Sequence, residues 1–544
     1  MPFLAERKTH IQTKDIISWT FDDLSYDWDM PIYIDQARPE RSVSPRQAKK
    51  MIRQIVAGLH ANGFKKGDCV ALHSFNDIYY SILFLGIIAA GGVFAGTNPS
   101  YTPFELVHHI KTAQTKFLLT EPEMMDQIKD AAKQSGIPDN KIFILDFLGQ
   151  KIPGGFKPWT SLLEHGEKDW VRFDDEHTAK TTTAARLFSS GTTGLPKAAM
   201  LSHYNLIAQH TLVHEYVKKP YPVRRVIAVP MFHASSVPTA HTSALRSGHV
   251  SYIMRRFELE PLLESISKYQ ITEIGIVPPI AIAIIMSPLT KNYSLKSIKA
   301  ASCGAAPLAK ETQKRFHDLL EPTATVTQVW GMTETSCIAS MFHYPEPDTT
   351  GAVGRMLPNV DAKLVDDDGN DITDYDIRGE LCVRGPIVIA GYFNNPEANA
   401  KDWDKDGYFH TGDIAFISKS EKKWYIVDRK KELIKVRGFQ VAPPEIEAVL
   451  LSHPGVIDAA VIGVSKKGEK DVEHPRAFVV RRPDTNATEK ELLAYCGERL
   501  AKYKALTGGV VFMDAIPKNA SGKILKRILR EMVIMEENSG MPKL

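Results

Sequence analysis

Leu187-Phe188-Ser189-Ser190-Gly191-Thr192-Thr193-Gly194-Leu195-Pro196-Lys197 is an apolar entry followed by hydroxyls, two glycines and a lysine. Backbone N–H groups and hydroxyls in such a loop can point at phosphate oxygens while the lysine balances their charge. The segment is therefore a candidate phosphate grip, with Ser189, Ser190, Gly191, Thr192, Thr193, Gly194 and Lys197 as its parts. It is not a Walker A loop: counted from Gly191, that pattern needs glycine where Pro196 stands. On its own, a run rich in Ser, Thr and Gly also suits a plain surface loop, so the rest of the chain has to decide.

The surrounding chain has 544 residues, enough for at least two cooperative units. Its 67 Lys+Arg against 64 Asp+Glu leave a net charge of +3, too little to gather nucleic acid or anionic lipid. With 43% hydrophobic and 24% charged residues, large cores are expected and wholesale disorder is not. Cys69, Cys303, Cys337, Cys382 and Cys496 are scattered and odd in number, so neither a disulfide framework nor a zinc site is expected. The first residues turn charged at Glu6-Arg7-Lys8, before any apolar signal core could form. The most apolar stretch, 82–96, is shorter than a membrane span and reads as a buried helix.

Through the first 350 residues, helical patterns alternate with short β-branched runs: a helix over 46–62, a strand at Cys69-Val70-Ala71-Leu72-His73, a helix over 78–90, then strands at 117–120 and 141–145. Such alternation implies parallel sheets covered by helices, an α/β architecture. From about 351 to 430 the rhythm becomes that of a hairpin-rich, barrel-like module. The charged run Asp428-Arg429-Lys430-Lys431-Glu432 separates it from a small α+β unit. The expected division is an N-terminal domain over 1–430 and a mobile C-terminal domain over 431–544.

The eleven-residue loop resembles the phosphate loop of the adenylate-forming superfamily, which includes acyl-CoA synthetases, adenylation domains and luciferases. That superfamily's further motifs follow in order: Gln328-Val329-Trp330-Gly331-Met332-Thr333-Glu334, Gly379 to Gly385, Gly391-Tyr392, Tyr408 to Asp413, Asp428 to Lys435, and Pro517-Lys518-Asn519-Ala520-Ser521-Gly522-Lys523. Asn98 to Thr102 and Gly438 to Pro443 are similar to the 4-coumarate–CoA ligase branch. The resemblance implies an AMP-forming acid–thiol ligase: a carboxylate and ATP give acyl-AMP and pyrophosphate, and the thiol of coenzyme A then gives acyl-CoA and AMP.

It also implies roles for particular residues. Gln328, Val329, Trp330 and Ala305 would line the nucleotide, Thr333 would touch the α-phosphate and Glu334 would hold Mg²⁺ as a hard oxygen ligand. Asp413, with two acceptor oxygens, would take both ribose hydroxyls, beside Arg429. Lys523 would bring a movable positive charge to the carboxylate and α-phosphate during adenylation. A hinge at Lys431 would then swing the C-terminal domain. Lys435, Gln440, Arg437 and Gly438 would face the site for thiolation, with Arg256 as a further basic contact for coenzyme A or else a solvated arginine.

For the acid, the resemblance makes His233 a gate and puts Ala234, Ser235, Ser302, Gly304, Val329, Gly331 and Ile338 around the acyl pocket. The segment 231–241 has no acidic residue to bind an amino-acid ammonium, and Gly331 stands where acetyl-CoA synthetases close the pocket with tryptophan. A hydrophobic aryl or medium-chain aliphatic acid is expected. Rival readings are an enzyme loading a carrier protein, a luciferase-like oxygenase and a non-catalytic nucleotide-binding module. The last keeps little support, since Lys197, Glu334, Asp413, Lys435 and Lys523 are all present. Pro542-Lys543-Leu544 is similar to the Ser-Lys-Leu peroxisomal address, so an import receptor is an expected partner and the peroxisome the expected location, with the cytoplasm as the alternative. Oligomeric state has no signature in the sequence.

Overall fold

Two seven-stranded sheets, parallel but for one edge pair each, form the scaffold of the computed structural model, which describes residues 3–189, 196–436, 439–465, 473–483, 485–519 and 522–539. The first sheet runs Lys157–Pro158, Ile142–Ile144, Thr115–Thr120, Cys69–His73, Val93–Thr97, Thr183–Ser189 and Lys197–Ser202 in spatial order. Every residue of Cys69–His73 and Val93–Thr97 is buried, as expected of parallel strands covered on both faces by helices. The second sheet runs Thr325–Gln328, Ala300–Cys303, Glu273–Ile276, Arg224–Ile227, Val250–Ile253, Tyr33–Asp35 and Ser42–Val43.

Local signals explain the covering helices. Helix Pro45–Ala61 starts with proline behind a Ser44–Gln47 capping box and buries Ile52, Ile55, Val56 and Leu59 along one stripe. Each such side chain contributes roughly 1.5–3 kcal/mol by leaving water. One expectation is corrected here. The apolar stretch 82–96 is not one helix: the helix is Tyr80–Ala89 and a strand follows at Val93–Thr97. Gly91, at φ +79°, turns the chain, and at Gly92 a Cβ would lie 2.4 Å from the Phe64 ring, within steric overlap. The glycine pair thus permits a sharp reversal that composition alone does not reveal.

The module after residue 351 contains a five-stranded antiparallel sheet of Asp371–Ile372, Asp361–Val365, Gly379–Arg384, Phe409–Ile417 and Trp424–Arg429. The residue range 430–433 then leads to the hairpin Ile434–Val436/Phe439–Val441. Beyond it, Val456–Ser465, Glu473–Arg481 and Gly509–Phe512 form a three-stranded sheet packed with helices Pro443–Leu451, Glu489–Arg499 and Lys526–Ser539. A small apolar cluster of Ile414, Val427, Leu433 and Ala442 spans the expected boundary. An Arg378–Glu445 ion pair of 3.1 Å does so as well. Among the described residues no helix is long and apolar enough to cross a membrane.

Candidate active site

Many of the described residues singled out by sequence lie at the carboxyl ends of the parallel strands, where open α/β sheets leave a crevice for ligands. Ser189 is the last residue of its strand and Lys197 the first of the strand paired with it. Gly304 and Ala305 follow strand Ala300–Cys303, Val329 and Trp330 follow Thr325–Gln328, and Met231–Ser235 follow Arg224–Ile227. Ser190, Gly191, Thr192, Thr193 and Gly194 lie outside the described residues. The Ser189 Oγ is buried and has no hydrogen-bond partner among the described residues.

A chain of polar contacts links the nucleotide-motif residues. Asp413 is 4% exposed. Its Oδ2 accepts the Trp330 indole N–H at 2.8 Å, and its Oδ1 pairs with Arg429 Nε at 2.7 Å. Glu334, 5% exposed, follows Thr333 in a single 3₁₀ turn. The Tyr392 hydroxyl donates to Glu334 Oε1 at 2.8 Å. Burial, reinforced by the Glu334 carboxylate, pushes the Tyr392 phenol far up, so it stays protonated as a donor. Lys197 Nζ lies 3.9 Å from the Tyr392 ring centroid and 2.8 Å from Asp402 Oδ2. The Gln328 side chain turns elsewhere. Its Oε1 accepts the Leu308 N–H at 2.8 Å and its Nε2 donates to the Leu308 carbonyl at 3.0 Å, so the carboxamide fixes the 308 segment.

Lys523 stands in the same neighbourhood. Burial, then the positive charge of Arg429, lower its pKa from 10.5 to about 8, against the opposing pull of Asp413, Glu432 and Asp428. Its N–H donates to Asn519 Oδ1 at 2.9 Å. At Gly522, φ +80°, a Cβ would meet Pro279 Cγ at 3.0 Å, so this loop of the C-terminal unit abuts the helix Pro278–Met286 of the large domain. Lys435, by contrast, is exposed in its hairpin, opposite Gln440 in register, and its N–H donates to Glu473 Oε2 at 2.8 Å. Lys431 lies in the turn between Trp424–Arg429 and that hairpin. Arg437 and Gly438 are outside the described residues. Arg256 stacks on Phe75, its guanidinium carbon 3.4 Å from the ring centroid, on the wall of a cavity of about 500 Å³ that Arg255 and Lys268 also line.

Close backbone approaches shape the candidate acyl pocket. Strands Trp330–Met332 and Cys337–Met341 pair with a register shift between Trp330 and Gly331. A Cβ at Gly331 would collide with the Cys337 carbonyl and stand 2.8 Å from Ile338 Cα, so only glycine permits this approach. Gln209, fully buried, holds the other side of that strand. Its Nε2 donates to the Ile338 carbonyl at 3.0 Å and its Oε1 accepts the Ile338 N–H at 3.1 Å. A Cβ at Gly304 would be 3.0 Å from Val329 Cγ2, so Val329 narrows the space beside it. Ser302 is partly buried on the strand before Gly304. His233 Nδ1 lies 2.9 Å from Ser235 Oγ, and burial pulls its pKa down to about 4, leaving a neutral ring at pH 7. Ala234 is buried. The Cys337 thiol donates to the Ser235 carbonyl at 3.8 Å.

The sequence model described as "AMP-binding enzyme" matches residues 25–393, and that described as "AMP-binding enzyme C-terminal domain" matches residues 445–523. The chain belongs to the AMP-binding enzymes. A phenylacetyl-CoA ligase of Aspergillus niger is 54% identical to this enzyme over 98% of this chain and 99% of its own. A 4-coumarate–CoA ligase of Petroselinum crispum is 35% identical, over 95% of this chain and 93% of its own. The ATP-bound structure of MatB from Rhodopseudomonas palustris superposes with a TM-score of 0.84 at 28% identity, covering 95% of this chain and 98% of that one. This AMP-binding enzyme is accordingly an acid–thiol ligase that forms an acyl adenylate from a carboxylic acid and ATP and then an acyl-CoA.

Several residues of the enzyme's site escaped the sequence reading. Tyr392 sits in a motif that gives it no role by itself; its contact is the hydrogen bond from its hydroxyl to Glu334. Gln209 and Asp402 carried no local signal, because the strand or lysine each one holds lies far away in the chain.

Proposed function

We propose that the acid is a hydrophobic arylalkanoic or medium-chain aliphatic acid and that the residues above divide the two half-reactions between them. The observation that carries the reading is the convergence of Lys523, Arg429 and Asp413 beside Trp330, at the carboxyl end of the second sheet. A carboxylate attacking the α-phosphorus brings negative charges together. Fixed cationic groups lower that barrier when they are held in place before the reaction. Lys523 in its ammonium form supplies one such charge and Lys197 another, at the polyphosphate end. Asp413, held by Trp330 and Arg429, keeps a lone pair on each oxygen for the ribose hydroxyls.

Glu334 suits a magnesium ion, because a buried carboxylate oriented by Tyr392 can contribute one hard oxygen while substrate phosphates supply others. When bound, the ion would neutralise polyphosphate charge. For the second half-reaction, rotation about Lys431 would carry Lys523 out and bring Lys435 and Gln440 in. The exposed position of Lys435 in the present pose is compatible with that exchange. Arg256, Arg437 and Gly438 would then serve coenzyme A.

The substrate class rests on the pocket walls: Ile338, Val329, Ala234 and a neutral His233, with no carboxylate among the residues assigned to it. Likeness to a phenylacetyl-CoA ligase supports an aryl acid. Thioester formation across phenylacetate, cinnamate, octanoate, acetate and phenylalanine tests it. Phenylacetate, cinnamate or octanoate should exceed acetate and phenylalanine at least tenfold in kcat/KM, and a preference for either of the last two would overturn the assignment. Peroxisomal residence, supported by the Pro542-Lys543-Leu544 end, would be refuted if a reporter bearing these residues stayed cytosolic.

A further inference from the structure

Helix Pro396–Asp402 is short and exposed on much of its surface, yet two of its side chains reach inward. Asn399 Oδ1 accepts the Tyr392 N–H at 2.7 Å, and its Nδ2 donates to the Tyr392 carbonyl at 3.0 Å. Three residues on, Asp402 Oδ2 receives Lys197 Nζ at 2.8 Å. Residues three apart share a helix face, so one face secures both the Tyr392 backbone and the Lys197 ammonium. The Tyr392 ring lies 3.9 Å from that ammonium. Its hydroxyl is bonded to Glu334. Asn395 caps this helix, its side chain accepting the Ala398 N–H at 3.1 Å, which fixes where the inward face points.

An ammonium has three donors. Asp402 takes one, the Tyr392 ring shields a second direction, and one remains for a phosphate oxygen. A flexible lysine stem loses rotamer freedom when it is fixed. Holding the ammonium in advance removes that cost from nucleotide binding.

We propose that Asp402 and Asn399 are positioning residues. Asp402 holds Lys197 by ion pairing and Asn399 holds it through Tyr392, setting the lysine at the polyphosphate end of the nucleotide site and in register with Glu334. The inference rests on the reading of Lys197 as a polyphosphate contact. It adds the helix 396–402 to the nucleotide machinery, although that helix touches no reacting atom.

Equilibrium binding of MgATP and of AMP to the full chain tests it, independently of turnover. Asp402→Ala should weaken MgATP binding about 3–10-fold and leave AMP, which has no polyphosphate, within about 1.5-fold, the pattern that loss of a half-buried charge contact predicts. Asp402→Asn retains an acceptor oxygen and should stay within about 2-fold of wild type. Asn399→Ala should weaken MgATP by an intermediate factor. Against a Lys197→Ala background, Asp402→Ala should add less than about 1.5-fold, since its partner is gone.

Unchanged or tighter MgATP binding by Asp402→Ala would overturn the proposal. So would an equal loss of AMP binding, or an undiminished effect in the Lys197→Ala background. If Lys197→Ala alone leaves MgATP binding intact, the reading of Lys197 itself fails. That outcome is distinct from one in which Lys197 matters and Asp402 does not.

Discussion

Raising the pH should switch off one half-reaction while sparing the other. Lys523 is held near pKa 8 instead of 10.5, chiefly because burial disfavours its charged form and secondarily because Arg429 is close. A shift from 10.5 to about 8 corresponds to something on the order of 3 kcal/mol of disfavour toward the ammonium. The sign is that of a depressed lysine: charged below about pH 8 and neutral above it. On the proposed role of Lys523, adenylation needs the ammonium, so its rate constant should follow the protonated fraction, about 90% at pH 7 and about 10% at pH 9. The expected loss in kcat/KM for ATP–pyrophosphate exchange between those two values is therefore about tenfold. Transfer from preformed acyl adenylate to coenzyme A should not follow this limb, because a thiol of pKa near 8.5 becomes a better nucleophile over the same range. Lys523→Arg, whose guanidinium stays charged throughout, should retain a flat exchange profile on whatever activity it keeps. Exchange that holds level to pH 9.5 in the wild type would refute the argument. An alkaline limb of the same midpoint in Lys523→Arg would refute it equally.

Two other substitutions probe the walls of the site. Trp330→Phe removes the indole N–H from Asp413 Oδ2 and should weaken ATP about 10–150-fold, the cost of roughly 1.5–3 kcal/mol for a hydrogen bond to a charged group, with the KM for the acid little changed; equilibrium nucleotide binding checks this. Gly331→Ala forces a methyl group against the Cys337 carbonyl and should lower the thermal midpoint and suppress adenylation of bulky acids more than of short ones, read by melting and by exchange across chain lengths.

How far the sequence could be read depended on the range of each interaction. Glu334, Asp413 and Lys523 were legible because each sits in a short motif of fixed spacing, and the alternation of strands and helices anticipated both parallel sheets. Gly331 stood out in the sequence too, and the fold adds a second physical reason for it. The sequence suggested room for substrate, whereas the fold also requires glycine so that two strands can meet. Residues 82–96 misled because a buried helix end and a buried strand have the same composition, and only the turn at Gly91-Gly92 separates them. Asp402 lies 205 residues from Lys197, and Gln209 lies 129 from Ile338. No periodicity or motif reports contacts at such separations.

Trp330 and Gly331 are neighbours in one strand. The first bonds the carboxylate assigned to the ribose and the second sets the gap beside Ile338. Val329, just before them, fills space against Gly304. On the proposed assignment, selection for a new acid would act on a peptide that also carries the nucleotide grip, and a substitution that reshapes one binding step should drag the other with it. A library that randomises 329 and 331 should yield variants whose acid preference and ATP affinity vary together. Changes at Ala234 or Ser235, on a separate segment, offer a route by which acid preference can drift while the energy-supplying substrate is held as before.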